Sequence, residues 1–177
     1  MLGIIIVIII VLAVLFSSPT SVANTSAKIH PLDEVVLEIS NPFKNFPALG
    51  KEIIDRYPHS RQVKGKAFLD INQENGYYIE FYPSGIIHIS SRKTGNFIYT
   101  EAYAENGNLF QKAQITSGKL DSFEWYDSET GTVMIGMKHE NRIRKVYTTS
   151  KLGQIKYLTP EEEKNFYRNI MLLLGIR

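Results

Sequence analysis

The chain has 177 residues, no cysteine, and 20 Lys and Arg against 18 Asp and Glu, a net charge of +2 at pH 7. Without cysteine there is no disulfide framework, no thioether lipid anchor and no thiolate chemistry. A nearly balanced charge gives no global pull towards nucleic acid, and the length suits one domain with a sizeable core.

Residues 2–16 are fifteen consecutive apolar or glycine positions, followed by Ser17-Ser18-Pro19 and the small-residue stretch Ser21-Val22-Ala23. A membrane-spanning helix needs about 20 apolar residues, so residues 1–23 read as a signal peptide cleaved after Ala23. That predicts an exported protein, periplasmic, at the cell surface or extracellular. No Lys or Arg precedes the apolar run, which leaves an uncleaved signal anchor as the alternative and the sole expected route to membrane contact.

Residues 24–63 read as an N-terminal helical and linker segment. Leu32, Val35, Val36 and Ile39 are spaced as one face of a helix, and Asn41-Pro42 ends it. Phe43, Phe46 and Leu49 are apolar anchors, and a second short helix is expected over Ala48–Tyr57, with Pro47 at its start and Pro58 closing it.

Over residues 64–158 the apolar period changes to two, the period of strands. Nine strands follow in order, near residues 67–71, 77–82, 86–91, 97–103, 109–115, 120–126, 133–137, 143–147 and 155–158. Turns around Gly95-Asn96, Ser117-Gly118 and Asn141 carry residues that tolerate positive φ. The expectation is an antiparallel meander with one dry and one wet face.

Residues 159–177 read as a capping helix. Thr159-Pro160-Glu161-Glu162 is a capping box with proline at the first helical position, and Phe166, Ile170, Leu173 and Leu174 form an apolar stripe expected to cover the sheet. The fold class is therefore α+β.

A phrase recurs within the meander: Tyr82-Pro-Ser-Gly85-Ile-Ile87, Tyr103-Ala-Glu-Asn-Gly107-Asn-Leu109, Tyr126-Asp-Ser-Glu-Thr-Gly131-Thr-Val133 and Tyr147-Thr-Thr-Ser-Lys-Leu-Gly153-Gln-Ile155. Aligned on tyrosine, the copies repeat every 21 to 23 residues and their turns lengthen by one residue each time. Such a period marks a repeat architecture whose unit is one hairpin. Over residues 76–158 the phrase resembles the MORN-repeat variant proteins, including antitoxin-like proteins of the YwqK type. The best match is Tyr103–Leu109 with its Asn106-Gly107 pair. The resemblance implies a non-enzymatic meander used for contacts.

The four histidines show no ligand spacing, and no nucleophile elbow, phosphate loop or metalloprotease helix is present, so neither a catalytic site nor a cofactor is expected. Candidate binding residues are the aromatics Tyr82, Tyr103, Trp125, Tyr126 and Tyr147 and the basic residues Arg142, Arg144 and Lys145. The last three lie in a stretch, Lys138–Lys156, with six basic residues against Glu140 alone. For the tyrosines a purely structural role, covering the glycine turns, competes with a stacking ladder. For the basic stretch a solvated edge competes with carboxylate or phosphate recognition. The reading is an exported, non-catalytic binding module for a protein or an anionic surface, without nucleic acid. Alternatives are an antitoxin-like or immunity protein that neutralises a partner, and a closed barrel carrying an apolar ligand, or an enzyme.

Overall fold

A computed structural model describes residues 31–127, 129–141 and 143–173, without the side chains of residues 31, 32, 35, 39, 167 and 169–173. The chain divides into two compact units, Val36–Leu158 and the chain ends, of which residues 31–35 and 159–173 are described. The signal segment and its cleavage point lie outside the described residues, as do the Ile170 and Leu173 side chains.

Helix α1 (Pro31–Ser40) is followed by strands β1 (Ile53–Arg56), β2 (Val63–Leu69), β3 (Asn75–Phe81), β4 (Ile87–Thr94), β5 (Phe97–Tyr103), β6 (Leu109–Thr116), β7 (Lys119–Tyr126), β8 (Val133–Glu140), β9 (Ile143–Thr149) and β10 (Ile155–Tyr157), then by helix α2 (Pro160–Leu173). The strands form one antiparallel sheet in strict chain order, β1 to β10. The sheet is open, which removes the closed-barrel alternative, and the helices are minor, so the fold lies nearer all-β than α+β.

The nine expected strands are present as β2 to β10, and the tenth replaces the expected Ala48–Tyr57 helix. Gly50 at φ +62° breaks the backbone after Pro47 and its N–H bonds the Leu69 carbonyl at 3.0 Å. Ile53 and Ile54 then pair with Ala67 and Lys66 at the sheet edge. Main-chain bonds offered by a neighbouring strand outweigh a weak helical period.

On the core face lie Ala67, Leu69, Ile98, Ala102, Ala113, Ile115, Phe123, Ile135, Met137 and Val146, all buried. The end of α1 and the turn after it pack on this face, with Val36, Ser40 and Phe43 buried. Thr100 Oγ1 donates to the Ser40 carbonyl at 2.7 Å, and Gln111 Nε2 donates to Ser40 Oγ at 3.2 Å. A terminal helix carbonyl that would otherwise be an unpaired buried acceptor is thus satisfied by the sheet. In the other unit, α2 begins with the expected capping box: Glu162 N–H donates to Thr159 Oγ1 at 3.3 Å and Thr159 N–H donates to Glu162 Oε2 at 2.9 Å.

The meander sorts its turns by end. Two-residue turns at Gly95-Asn96 and Ser117-Gly118, the latter both at positive φ, join β4–β5 and β6–β7 at one end, where the five-residue β2–β3 connection and the β8–β9 connection also lie. The repeat turns lie at the other end and are defined by paired bonds. Tyr82 N–H bonds the Ile86 carbonyl while Gly85 N–H bonds the Tyr82 carbonyl; Ala104 with Asn108 and Gly107, Asp127 with Thr132 and Gly131, and Ser150 with Gln154 and Gly153 do the same.

This bonding corrects the alignment on tyrosine. The glycines coincide, but Tyr82 occupies the turn-closing position, Tyr103 and Tyr126 stand one residue before it, and Tyr147 stands three before. The turn does not lengthen copy by copy: three copies are equal and the Asp127 turn has one inserted residue. A further copy precedes them, in which Tyr57 N–H bonds the Gln62 carbonyl and Ser60 N–H the Tyr57 carbonyl. Its sequence, Tyr57-Pro58-His59-Ser60, parallels Tyr82-Pro83-Ser84-Gly85, with His59 and Gly85 both at positive φ. Four of the five hairpins also carry a register shift beside the turn, at Asp55/Arg56, Glu80/Phe81, Ala102/Tyr103 and Trp125/Tyr126. Each is a β-bulge, which sharpens the local twist.

Candidate functional site

Opposite the core face is the open face, where cross-strand register builds two adjacent rows. One runs Phe68, Tyr77, Arg92, Tyr99, Gln114, Ser122, Lys138, Lys145. The next runs Lys66, Ile79, Ser90, Glu101, Lys112, Glu124, Gly136, Tyr147, Tyr157. Neighbours in a row are about 5 Å apart, close enough for their side chains to interact.

Two glutamates organise the tyrosines of this face. Glu101 accepts from Tyr99 at 2.7 Å and from Tyr103 at 2.8 Å. Glu124 accepts from Tyr147 at 2.6 Å and from Tyr126. Glu101 and Glu124 hold the same place in successive repeats, two residues before Tyr103 and Tyr126. Desolvation, followed by the bond to Glu101 and its charge, pushes Tyr103 up to about 12. Burial first and a glutamate second also raise Tyr99, Tyr126 and Tyr147. These hydroxyls stay protonated at neutral pH and donate; they are not poised as bases.

Gly136 makes the second cluster geometrically accessible. It lies in register between Glu124 and Tyr147, and the Tyr147 ring crosses the space where a side chain at 136 would stand. A Cβ there would come within 2.6 Å of Tyr147 Cε1 and of its hydroxyl. The absent side chain lets the ring lie flat across β8 and reach Glu124.

Lysines complete the face. Lys112 Nζ lies 5.9 Å from the Tyr126 ring centroid, and Lys138 and Lys145 Nζ each lie 5.5 Å from that of Tyr157. Lys138 and Lys145 also both bond Glu140 at 2.6 Å. Those two bonds hold the Glu140 carboxyl down at about 2.

The candidates named from sequence are dispersed by this geometry. Tyr103, Tyr126 and Tyr147 share the open face. Tyr82 serves a turn: its hydroxyl donates to the Tyr103 carbonyl at 3.0 Å and its ring lies 4.5 Å from that of His88. Tyr57 does the same one hairpin earlier, donating to the Phe81 carbonyl at 2.6 Å. Trp125 belongs to the margin of the core face, half-exposed beside Phe110 and Phe123 at 6.2 and 6.5 Å. Arg142 lies outside the described residues. Arg144 pairs in register with His139 on the core side, whereas Lys145 points to the open face, so consecutive basic residues on β9 do not form one patch. Glu101, Glu124, Tyr99, Arg92 and Gly136 were not singled out from sequence; the Glu-x-Tyr spacing shared by residues 101–103 and 124–126 was the available signal.

No group of His, Asp or Glu able to hold a metal ion occurs among the described residues. No protein-family model matches the chain, and no curated protein matches it. Among solved structures, the chain is similar to a point mutant of S. aureus TarM in complex with fondaparinux, alpha-GlcNAc-glycerol and UDP, at 8% identity and a TM-score of 0.35, over 58% of this chain and 18% of that one. The chain therefore spans under a fifth of that relative, and no family membership follows.

Proposed function

We propose that the protein is an exported, non-catalytic binding module that engages a macromolecular partner or an anionic surface through the open face of its sheet. The observation that carries this reading is the pair of tyrosine–glutamate clusters, Tyr99–Glu101–Tyr103 and Tyr126–Glu124–Tyr147, with Lys112 and Lys138 beside them. Hydroxyls fixed by carboxylates lose little conformational freedom on binding, and aromatic rings next to cations suit contact surfaces. The hairpin unit with a glycine turn accords with the MORN-variant resemblance, and partner neutralisation is a narrower form of the same role.

The test is a crosslinking pulldown from extracellular and envelope fractions. Capture of the partner is expected to fall when Tyr103 and Tyr126 are both replaced by Ser and to persist when Arg142 and Arg144 are. Retention by the tyrosine pair and loss by the arginine pair would overturn the assignment to this face. Recovery of the protein in the cytosol would overturn export.

A further inference from the structure

Of the cations in the two rows, the side chains of Lys66 and Arg92 make no hydrogen bond, ion pair or ring contact among the described residues, and Arg92 is the guanidinium of the two. Lys138 and Lys145 are committed to Glu140, and Lys112 stands over Tyr126. Arg92 is exposed on β4, midway along the first row, and makes no hydrogen bond or ion pair among the described residues. Its own row holds no carboxylate, and the carboxylates bonded to its tyrosine neighbours are already engaged, Glu52 by the Tyr77 hydroxyl and Glu101 by Tyr99 and Tyr103. Its flanking partners in register are Tyr77 and Tyr99.

Two open grooves, of about 550 and 390 Å³, meet along Ser90, Arg92 and Thr94; Tyr77 lines the first, and Tyr99 and Glu101 line the second. The guanidinium thus stands on the ridge between two depressions, with one tyrosine in each.

We infer that Arg92, between Tyr77 and Tyr99, is a subsite for the carboxylate of an acidic saccharide, an inference that rests on the open face being the binding surface. A guanidinium without an internal partner presents a planar fork that matches a carboxylate through two parallel bonds. Tyrosine rings on either side offer flat apolar surfaces to the C–H faces of sugar rings, and Ser90, Thr94 and Glu101 supply donors and acceptors for ring hydroxyls. Glu101 and Glu52 disfavour a dense polyanion such as a nucleic-acid backbone, which would bring several charges against them for one arginine. An extended peptide finds no free backbone here, since β3, β4 and β5 are each paired on both sides. Sparse acid groups among many hydroxyls remain the complementary chemistry.

The test is calorimetric titration of the full chain with trigalacturonate and with a hyaluronan tetrasaccharide, each as the free acid and as the methyl ester, and with sodium polyphosphate. At least one acid form is expected to bind, its ester at least tenfold more weakly. Arg92→Gln should weaken the acid form at least tenfold with an unchanged melting curve, and Lys151→Gln, in the β9–β10 turn, should leave it unchanged. Equal affinity for acid and ester, binding unaffected by Arg92→Gln, equally tight polyphosphate, or no binding of either saccharide would each overturn the subsite. Partner capture that depends on Tyr103 and Tyr126 would survive all four outcomes, so the two readings fail separately.

Discussion

Replacing Gly136 by Ala is expected to destabilise the fold, although alanine is the better strand residue. The new Cβ would lie 2.6 Å from Tyr147 Cε1 and from the tyrosine hydroxyl, so the ring has to leave its place. Tyr147 is 8% exposed, and burying a large side chain contributes about 1.5–3 kcal/mol; the displaced ring would give up roughly half of that. Loss of the Tyr147–Glu124 bond removes about 1 kcal/mol more. Removing a strand glycine returns about 0.5–1 kcal/mol, leaving a net loss of about 1–2 kcal/mol. The sign depends on the tyrosine. In a Tyr147→Ala background the clash is gone, and the same substitution should stabilise by about 0.5–1 kcal/mol. Urea denaturation followed by circular dichroism measures all four corners of this cycle, with the fluorescence of Trp125, the sole tryptophan, as a second probe. A neutral or stabilising Gly136→Ala in the native background, or an equal loss in both backgrounds, would refute the reasoning.

Alkaline titration followed at 295 nm should lag behind the ordinary tyrosine value of 10.0, because eight of the ten tyrosines, Tyr57, Tyr77, Tyr78, Tyr82, Tyr99, Tyr103, Tyr126 and Tyr147, are raised above it. Because the folded values lie above the unfolded one, this stabilisation is whole below pH 10 and is lost as pH rises through the folded value, about 12 for Tyr103; a single transition at 10 would contradict the tyrosine–glutamate clusters. Gly107, at φ +84° with open space around its Cα, should tolerate Asn with a loss under about 1 kcal/mol but lose about 1–3 kcal/mol as Val. Equal melting temperatures for Asn and Val would show that the turn does not hold the left-handed conformation.

Local chemistry in the sequence determined the turns, the strand spacing and the α2 cap. Gly85, Gly107, Gly131 and Gly153 all have positive φ, and the Thr159–Glu162 box closes as its residues require. Each of these depends on residues within a few positions of one another, which a sequence states directly. The Tyr57 hairpin was legible too, in its Tyr-Pro turn, but the pattern of apolar residues before it favoured a helix. Pairing with β2 is a contact between segments that spacing alone does not weigh. Tertiary structure decided which residues meet across strands. Register and the bulges beside four of the repeat turns separate Tyr82 from Tyr103, join Glu124 to Tyr147 across Gly136, and leave Arg92 between Tyr77 and Tyr99. A sheet's face follows from alternation along a strand, but the neighbours on that face are fixed by the hydrogen-bonding register between adjacent strands, and one bulge residue is enough to change them.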